Sequence, residues 1–166
     1  MSGWAEERQI LEGWFAKQWA NPALSVPTPP FLQWKTATCP VFYEGQVSDI
    51  PPAGGPFIEM FVIGSPSGTQ VSLGTPALER YVGIIQFTIS CPISNSVGPN
   101  EMAREIGDNL DKMFKGRRFQ TSAGRIRCRV PGLHTMGQIN DRWVAVLSVP
   151  YLRDEFADIP PPVGLA

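Results

Sequence analysis

The run Arg80-Tyr81-Val82-Gly83-Ile84-Ile85-Gln86-Phe87-Thr88-Ile89-Ser90-Cys91 sets the fold. Alternate residues of an extended chain point to opposite sides. One side therefore carries Tyr81, Gly83, Ile85, Phe87, Ile89 and Cys91, and the other carries Val82, Ile84, Gln86, Thr88 and Ser90. The first set is almost wholly apolar, and the second turns polar toward its end. This is the pattern of a β-strand with one face on a core and one face toward solvent or a partner.

Working outward, residues 41–47 and 57–63 read as two earlier strands. Residues 64–76 form a polar connection rich in Gly, Ser and Thr, expected to be a long protruding hairpin loop. Beyond residue 91 lies a loop at 92–99, with Asn100 as the expected N-cap. Met102, Ile106, Leu110, Met113 and Phe114 then fall on one helical face. Glu101 and Glu105 suit the start of that helix, Lys112 and Lys115 its end, and Gly116 its stop. Residues 125–130 form a fourth strand, 131–140 a loop, and 143–151 a fifth strand.

At the other end, Ile10, Leu11, Trp14, Phe15 and Trp19 make a helical stripe. Glu6 and Glu7 occupy its first turn and Pro22 ends it, which predicts a helix over residues 5–20. Prolines 22, 27, 29 and 30 mark the stretch after it as an extended loop, and Phe31 to Trp34 form a small apolar patch.

The order helix, three strands, helix, two strands predicts an α+β fold. The expected form is a two-layer sandwich: a mostly antiparallel sheet of about five strands with two helices on one face. Residues 1–153 are expected to form a single domain and residues 154–166, with their Pro-Pro-Pro run, a flexible C-terminal tail. The length of 166 residues suits one domain. Gly and Pro together make 33 of those residues, which argues against a helical bundle.

Composition narrows the function. Fourteen basic residues against fifteen acidic ones give a net charge of -1, which disfavours a generally basic nucleic-acid binder. No apolar run is long enough to span a membrane, and the N-terminus does not read as a signal peptide. Cys39, Cys91 and Cys128 are odd in number and widely scattered, so neither a disulfide framework nor a zinc site is expected. They read instead as small buried residues.

The single histidine, His134, lies in the expected loop at 131–140 with only Asp141 nearby in sequence. A general base needs a fixed partner, and none is evident, so no catalytic residue is assigned. No phosphate-binding glycine loop follows a strand, and Gly64-Ser65-Pro66-Ser67-Gly68 lacks the nucleophile-elbow register. No metal and no cofactor are expected.

One electrostatic feature stands out. Lys112, Lys115, Arg117, Arg118, Arg125, Arg127 and Arg129 provide seven basic residues with no acid between residues 112 and 140. Arg125, Arg127 and Arg129 alternate along one strand face, with Ile126, Cys128 and Val130 on the other, core-facing side. An ordinary solvated face is one reading; a contact surface for an acidic neighbour or for phosphates is the other. Trp4, Phe31, Trp34 and Tyr151 lie near loops or strand ends, as interface aromatics or as caps over the sheet edges.

The helix ending Phe114-Lys115-Gly116, the strand Gly124-Arg125-Ile126-Arg127-Cys128-Arg129, and the later Asp141-Arg142-Trp143 leading to Val149-Pro150-Tyr151 resemble the tail terminator family of long-tailed bacteriophages. The likeness covers roughly residues 81–156, and residues 5–19 more loosely. It implies a non-enzymatic virion protein, assembled in the host cytoplasm, that closes into a homo-oligomeric ring, expected to be a hexamer. Such a ring caps the tail tube, ends tube polymerisation and offers the head-joining surface. The implied partners are other copies, the tail tube protein and head–tail connector proteins, with DNA only in transit through the lumen and no membrane. Arg117, Arg118, Arg125, Arg127 and Arg129 are the candidate subunit or lumen contacts, and the loop at 64–76 is expected to reach the tube. A head–tail connector or neck completion protein is the alternative. A small enzyme using His134, or a nucleic-acid-binding module, has less support.

Overall fold

The computed structural model describes residues 3–19, 39–44, 55–65, 67–72, 74, 76–93 and 98–157. The chain runs α1 (Trp4–Trp19), β1 (Val41–Tyr43), β2 (Phe57–Ile63), β3 (Thr69–Gln70), β4 (Ala77–Pro92), α2 (Pro99–Phe114), β5 (Arg118–Gln120), β6 (Gly124–Cys128), β7 (Gly132–Ile139) and β8 (Arg142–Ala157). The fold is α+β, as the sequence predicts. Among the described residues the sheet has eight strands instead of five, in the order β1-β2-β4-β8-β6-β5, with β3 also on β4 and β7 also on β8. It is mixed: β1 lies parallel to β2, and every other pairing is antiparallel.

The spine is the β4–β8 pair. All sixteen residues of β4 are in register with β8, from Ala77 opposite Ala157 to Pro92 opposite Arg142. At about 3.4 Å per residue this ribbon is about 50 Å long. Its alternation is the one read from the sequence. Ile85, Phe87, Ile89 and Cys91 are fully buried, whereas Val82 and Ile84 on the reverse side are exposed. Opposite them, Ala145, Leu147, Val149 and Tyr151 of β8 continue the buried face.

Both helices pack on that face. Leu11, Phe15 and Trp19 form the buried stripe of α1; Met102, Ile106, Leu110 and Phe114 form that of α2. The three layers of sequence meet at one aromatic triangle. Phe15, Phe87 and Phe114 have ring centroids 5.1 to 5.8 Å apart, within the range of favourable aromatic pairs. Trp19 donates its indole N–H to the Cys39 carbonyl, which ties the end of α1 to the segment leading into β1.

Several local expectations change. Helix α2 begins at Pro99 with Gly98, not Asn100, as its cap; proline fits the first turn because its missing N–H would be unpaired there. Gly116 ends the helix with φ +69°, a left-handed conformation that favours glycine. The stretch expected as a loop at 131–140 is strand β7, bulged between Thr135 and Gly137. It was hidden because seven of its eight residues are exposed, so no alternation is visible.

Strand β8 does not stop at Tyr151 but runs through Asp154 to Ala157, four residues into the expected tail. Charged residues there are buried and paired, which sequence polarity alone reads as solvent. The connection at 64–76 is not a free protrusion: β3 within it folds back to pair with Glu79 and Arg80 of β4. Tyr151 is a core residue, Trp4 is exposed, and Phe31 and Trp34 lie outside the described residues. So do the proline-rich stretch at 21–30, the end of the first expected strand and the tail from residue 158.

Candidate functional site

Cross-strand register assigns the arginines to faces. Arg125 lies opposite Gln120 on one side and Asp154 on the other; Arg127 lies opposite Arg118 and Leu152. Directly opposed residues share a face. Arg118, Arg125 and Arg127 therefore stand with Asp154 on the side of the sheet away from the helices, since Tyr151 and Arg153 alternate to the helix side. Arg80, opposite Asp154 on β4, joins them. Arg129 follows directly after β6, where its backbone N–H donates to the Pro150 carbonyl.

Arg117 is separated from this group. Its guanidinium sits 5.0 Å over the Trp14 ring of α1, and its Nε donates to the Met113 carbonyl. Val130, expected in the core, is exposed because the strand ends at Cys128.

The face thus gathers Arg80, Arg125 and Arg127 around the Asp154 carboxylate, with Arg118 across from Arg127. Arg80 grips Asp154 in a two-pronged bond, Nε to Oδ1 at 2.6 Å and Nη2 to Oδ2 at 3.0 Å. Those bonds, with the positive charge of Arg80, Arg125 and Arg127, hold the Asp154 carboxyl below its ordinary range despite its burial. Arg118 and Arg127 stand as a like-charge cross-strand pair, an arrangement that costs stability without a counter-charge. Beside them lies a cleft of about 290 Å³ lined by Leu78, Gln120, Gly124, Arg125, Asp154 and Phe156.

On the helix side, the same end of the ribbon holds a buried ionic cluster. Arg153 Nε is 2.8 Å from Glu7 Oε2, and its Nη1 donates to Glu155 Oε1 at 2.7 Å. The Nε contact is not aligned as a hydrogen bond and is therefore chiefly Coulombic. Tyr151 donates its hydroxyl to Glu7 Oε1. The Arg153 guanidinium stacks 4.2 Å from the Tyr81 ring. Burial, only partly offset by Arg153 and reinforced by Glu155, pushes the Glu7 carboxyl up to about 7. No sequence pattern pairs Glu7 with Arg153, because both look like exposed residues until the strand register is known.

His134 stands on exposed strand β7, opposite Val146. Among the described residues, no group of three or more His, Cys, Asp or Glu side chains gathers to hold a metal. No helix among them is long and apolar enough to cross a membrane.

The fold and its basic outer face define a class: a small α+β protein built on a long antiparallel ribbon. No protein-family model matches the chain, and no curated protein matches it. Solved structures do. One, whose name describes no activity, is similar over 95% of this chain and 94% of its own, with a TM-score of 0.57 and 17% identity. That likeness extends to the fold alone.

Proposed function

We propose that this chain is a structural subunit of a phage tail: a tail terminator whose copies close into a ring on the tail tube, end its polymerisation and present the head-joining surface. No catalytic role is assigned to it. The observation that carries this reading is the arginine face: Arg80, Arg125 and Arg127 act on the Asp154 carboxylate, with Arg118 across from Arg127, on the side of the sheet away from the helices. Such a face suits an acidic surface on a neighbouring subunit, or phosphates passing through a lumen. Arg80, Arg118, Arg125 and Arg127 supply it, Arg129 follows directly after β6, and Arg117, held against Trp14, does not contribute. The sequence resemblance to tail terminators supplies the choice among ring-forming proteins.

A hexameric ring is part of the proposal, with virion localisation and the tail tube and connector proteins as partners. The exposed β7 edge supports an assembling role. It is eight residues long, carries no Lys, Arg, Asp or Glu, and exposes Leu133, Met136 and Ile139. Exposed edges of that kind are normally blunted with charge or proline.

The test is the double substitution Arg118→Glu and Arg127→Glu, made in a phage that depends on this chain. Loss of ring assembly on the tube and overlong tails are expected. Normal tails of normal length with that variant rule the reading out.

A further inference from the structure

We propose that the cleft between Leu78, Gln120, Arg125 and Phe156 is a docking site for residues 158–166 of a second copy of this chain. The inference deepens the ring reading by supplying a contact between copies, but it requires only that copies meet, not that they cap a tail.

The cleft offers two chemistries side by side. Leu78 and Phe156 face each other across β4 and β8, and Phe156 is 60% exposed although it is a large aromatic side chain. Next to this apolar wall stands the guanidinium of Arg125, exposed, with Gln120 directly opposite as a further hydrogen-bonding group. Asp154, the carboxylate at the back of the cleft, is already gripped by Arg80 through two bonds. Arg125 therefore remains available to an incoming acid. An occupant should carry a carboxylate and then a rigid apolar stretch.

The chain contains such a segment immediately after β8: Asp158-Ile159-Pro160-Pro161-Pro162-Val163-Gly164-Leu165-Ala166. Asp158 complements Arg125, and proline rings stack well on an exposed aromatic such as Phe156. A proline run is stiff and advances about 3.1 Å per residue. Arg125 stands opposite Asp154, and β8 has run three residues past that point at Ala157, so a chain's own Asp158 would have to double back to meet its own Arg125. The occupant is therefore the segment of another copy. Contacts of this kind run head to tail, as a ring requires.

The test uses full-length chains and the dependence of solution mass on concentration, read by light scattering. Arg125→Glu alone and Asp158→Arg alone should each raise the concentration needed for association at least tenfold. The Asp158→Arg change lies outside the described strands, so it tests the contact even where Arg125→Glu disturbs Asp154. Mixing the two single variants should restore association, because the arginine of one chain's segment then meets the glutamate of the other chain's cleft. The Arg125→Glu/Asp158→Arg double variant should associate like the unaltered chain. Three results would overturn the proposal: an unaltered chain that stays monomeric at all concentrations, single variants that associate normally, or restoration in the double variant but not in the mixture. The last places the contact within one chain. Tail length in phage is a separate readout, so failure of this contact and failure of the capping role are distinguishable.

Discussion

Glu7 of α1 and Arg153 of β8 form a 2.8 Å ion pair in which each side chain is only 2% exposed. It joins residues near opposite ends of the described chain and fixes the first helix to the central ribbon. Arg153 also serves Glu155, so one cation answers two buried carboxylates. Arg153→Met should therefore lower stability by about 3–5 kcal/mol, the usual cost of leaving buried charge unpaired. Urea unfolding followed by tryptophan fluorescence measures it.

The same cluster predicts a pH dependence. Burial raises the Glu7 carboxyl from 4.5 to about 7 in the folded protein. A raised folded-state value means that the folded state binds the proton more tightly. The resulting stabilisation is complete below about pH 4.5 and is lost as pH rises through 7. The swing is about 3 kcal/mol at most. Asp154 acts oppositely, since its value is lowered, but its loss of stability falls at more acid pH, below the ordinary carboxylate range. Melting temperature should thus be higher at pH 5.5 than at pH 8. Glu7→Gln should flatten that slope, and an unchanged slope in the variant would show that Glu7 is not its source.

Gly83 lies directly beneath the Tyr151 ring, which occupies the space a side chain would need. Tyr151 is meanwhile held by its bond to Glu7. Gly83→Ala should cost about 1–3 kcal/mol through overpacking. The companion change Gly13→Ala, on a helix position with open space around it, should be neutral or stabilising. Comparing the two melting temperatures separates packing from a general effect of losing glycine.

Cys39, Cys91 and Cys128 are buried free thiols, each pushed up to about 12 by desolvation. Because the thiolate is the reactive form, none should react with a disulfide reagent at pH 8 in the folded protein. All three should react within minutes in denaturant. Rapid labelling of the native chain would mean that the core opens far more readily than its packing indicates.

On edge strand β7, Met136 is 53% exposed at the bulge. Met136→Lys should change the unfolding free energy by no more than about 0.5 kcal/mol, as surface changes do. It should reduce self-association, because charge on an open edge opposes strand addition. Sedimentation at several concentrations checks this.

The sequence by itself determined the two helices, the strand at the centre of the sheet and the α+β class. Each of these elements buries one face and exposes the other, so its period is written in local polarity: Leu11, Phe15 and Trp19 at helical spacing, Ile85, Phe87 and Ile89 at strand spacing. The alternation of Arg125 and Arg127 likewise placed them on one face. Only the tertiary structure decided what breaks that rule. Strand β7 is exposed on nearly every residue and so shows no period. The end of β8 buries Arg153, Asp154 and Glu155, whose charges are tolerable there because Glu7 and Arg80 arrive from distant parts of the chain. Pairing between residues far apart in sequence depends on strand register, and register is a property of the whole sheet that no local window contains.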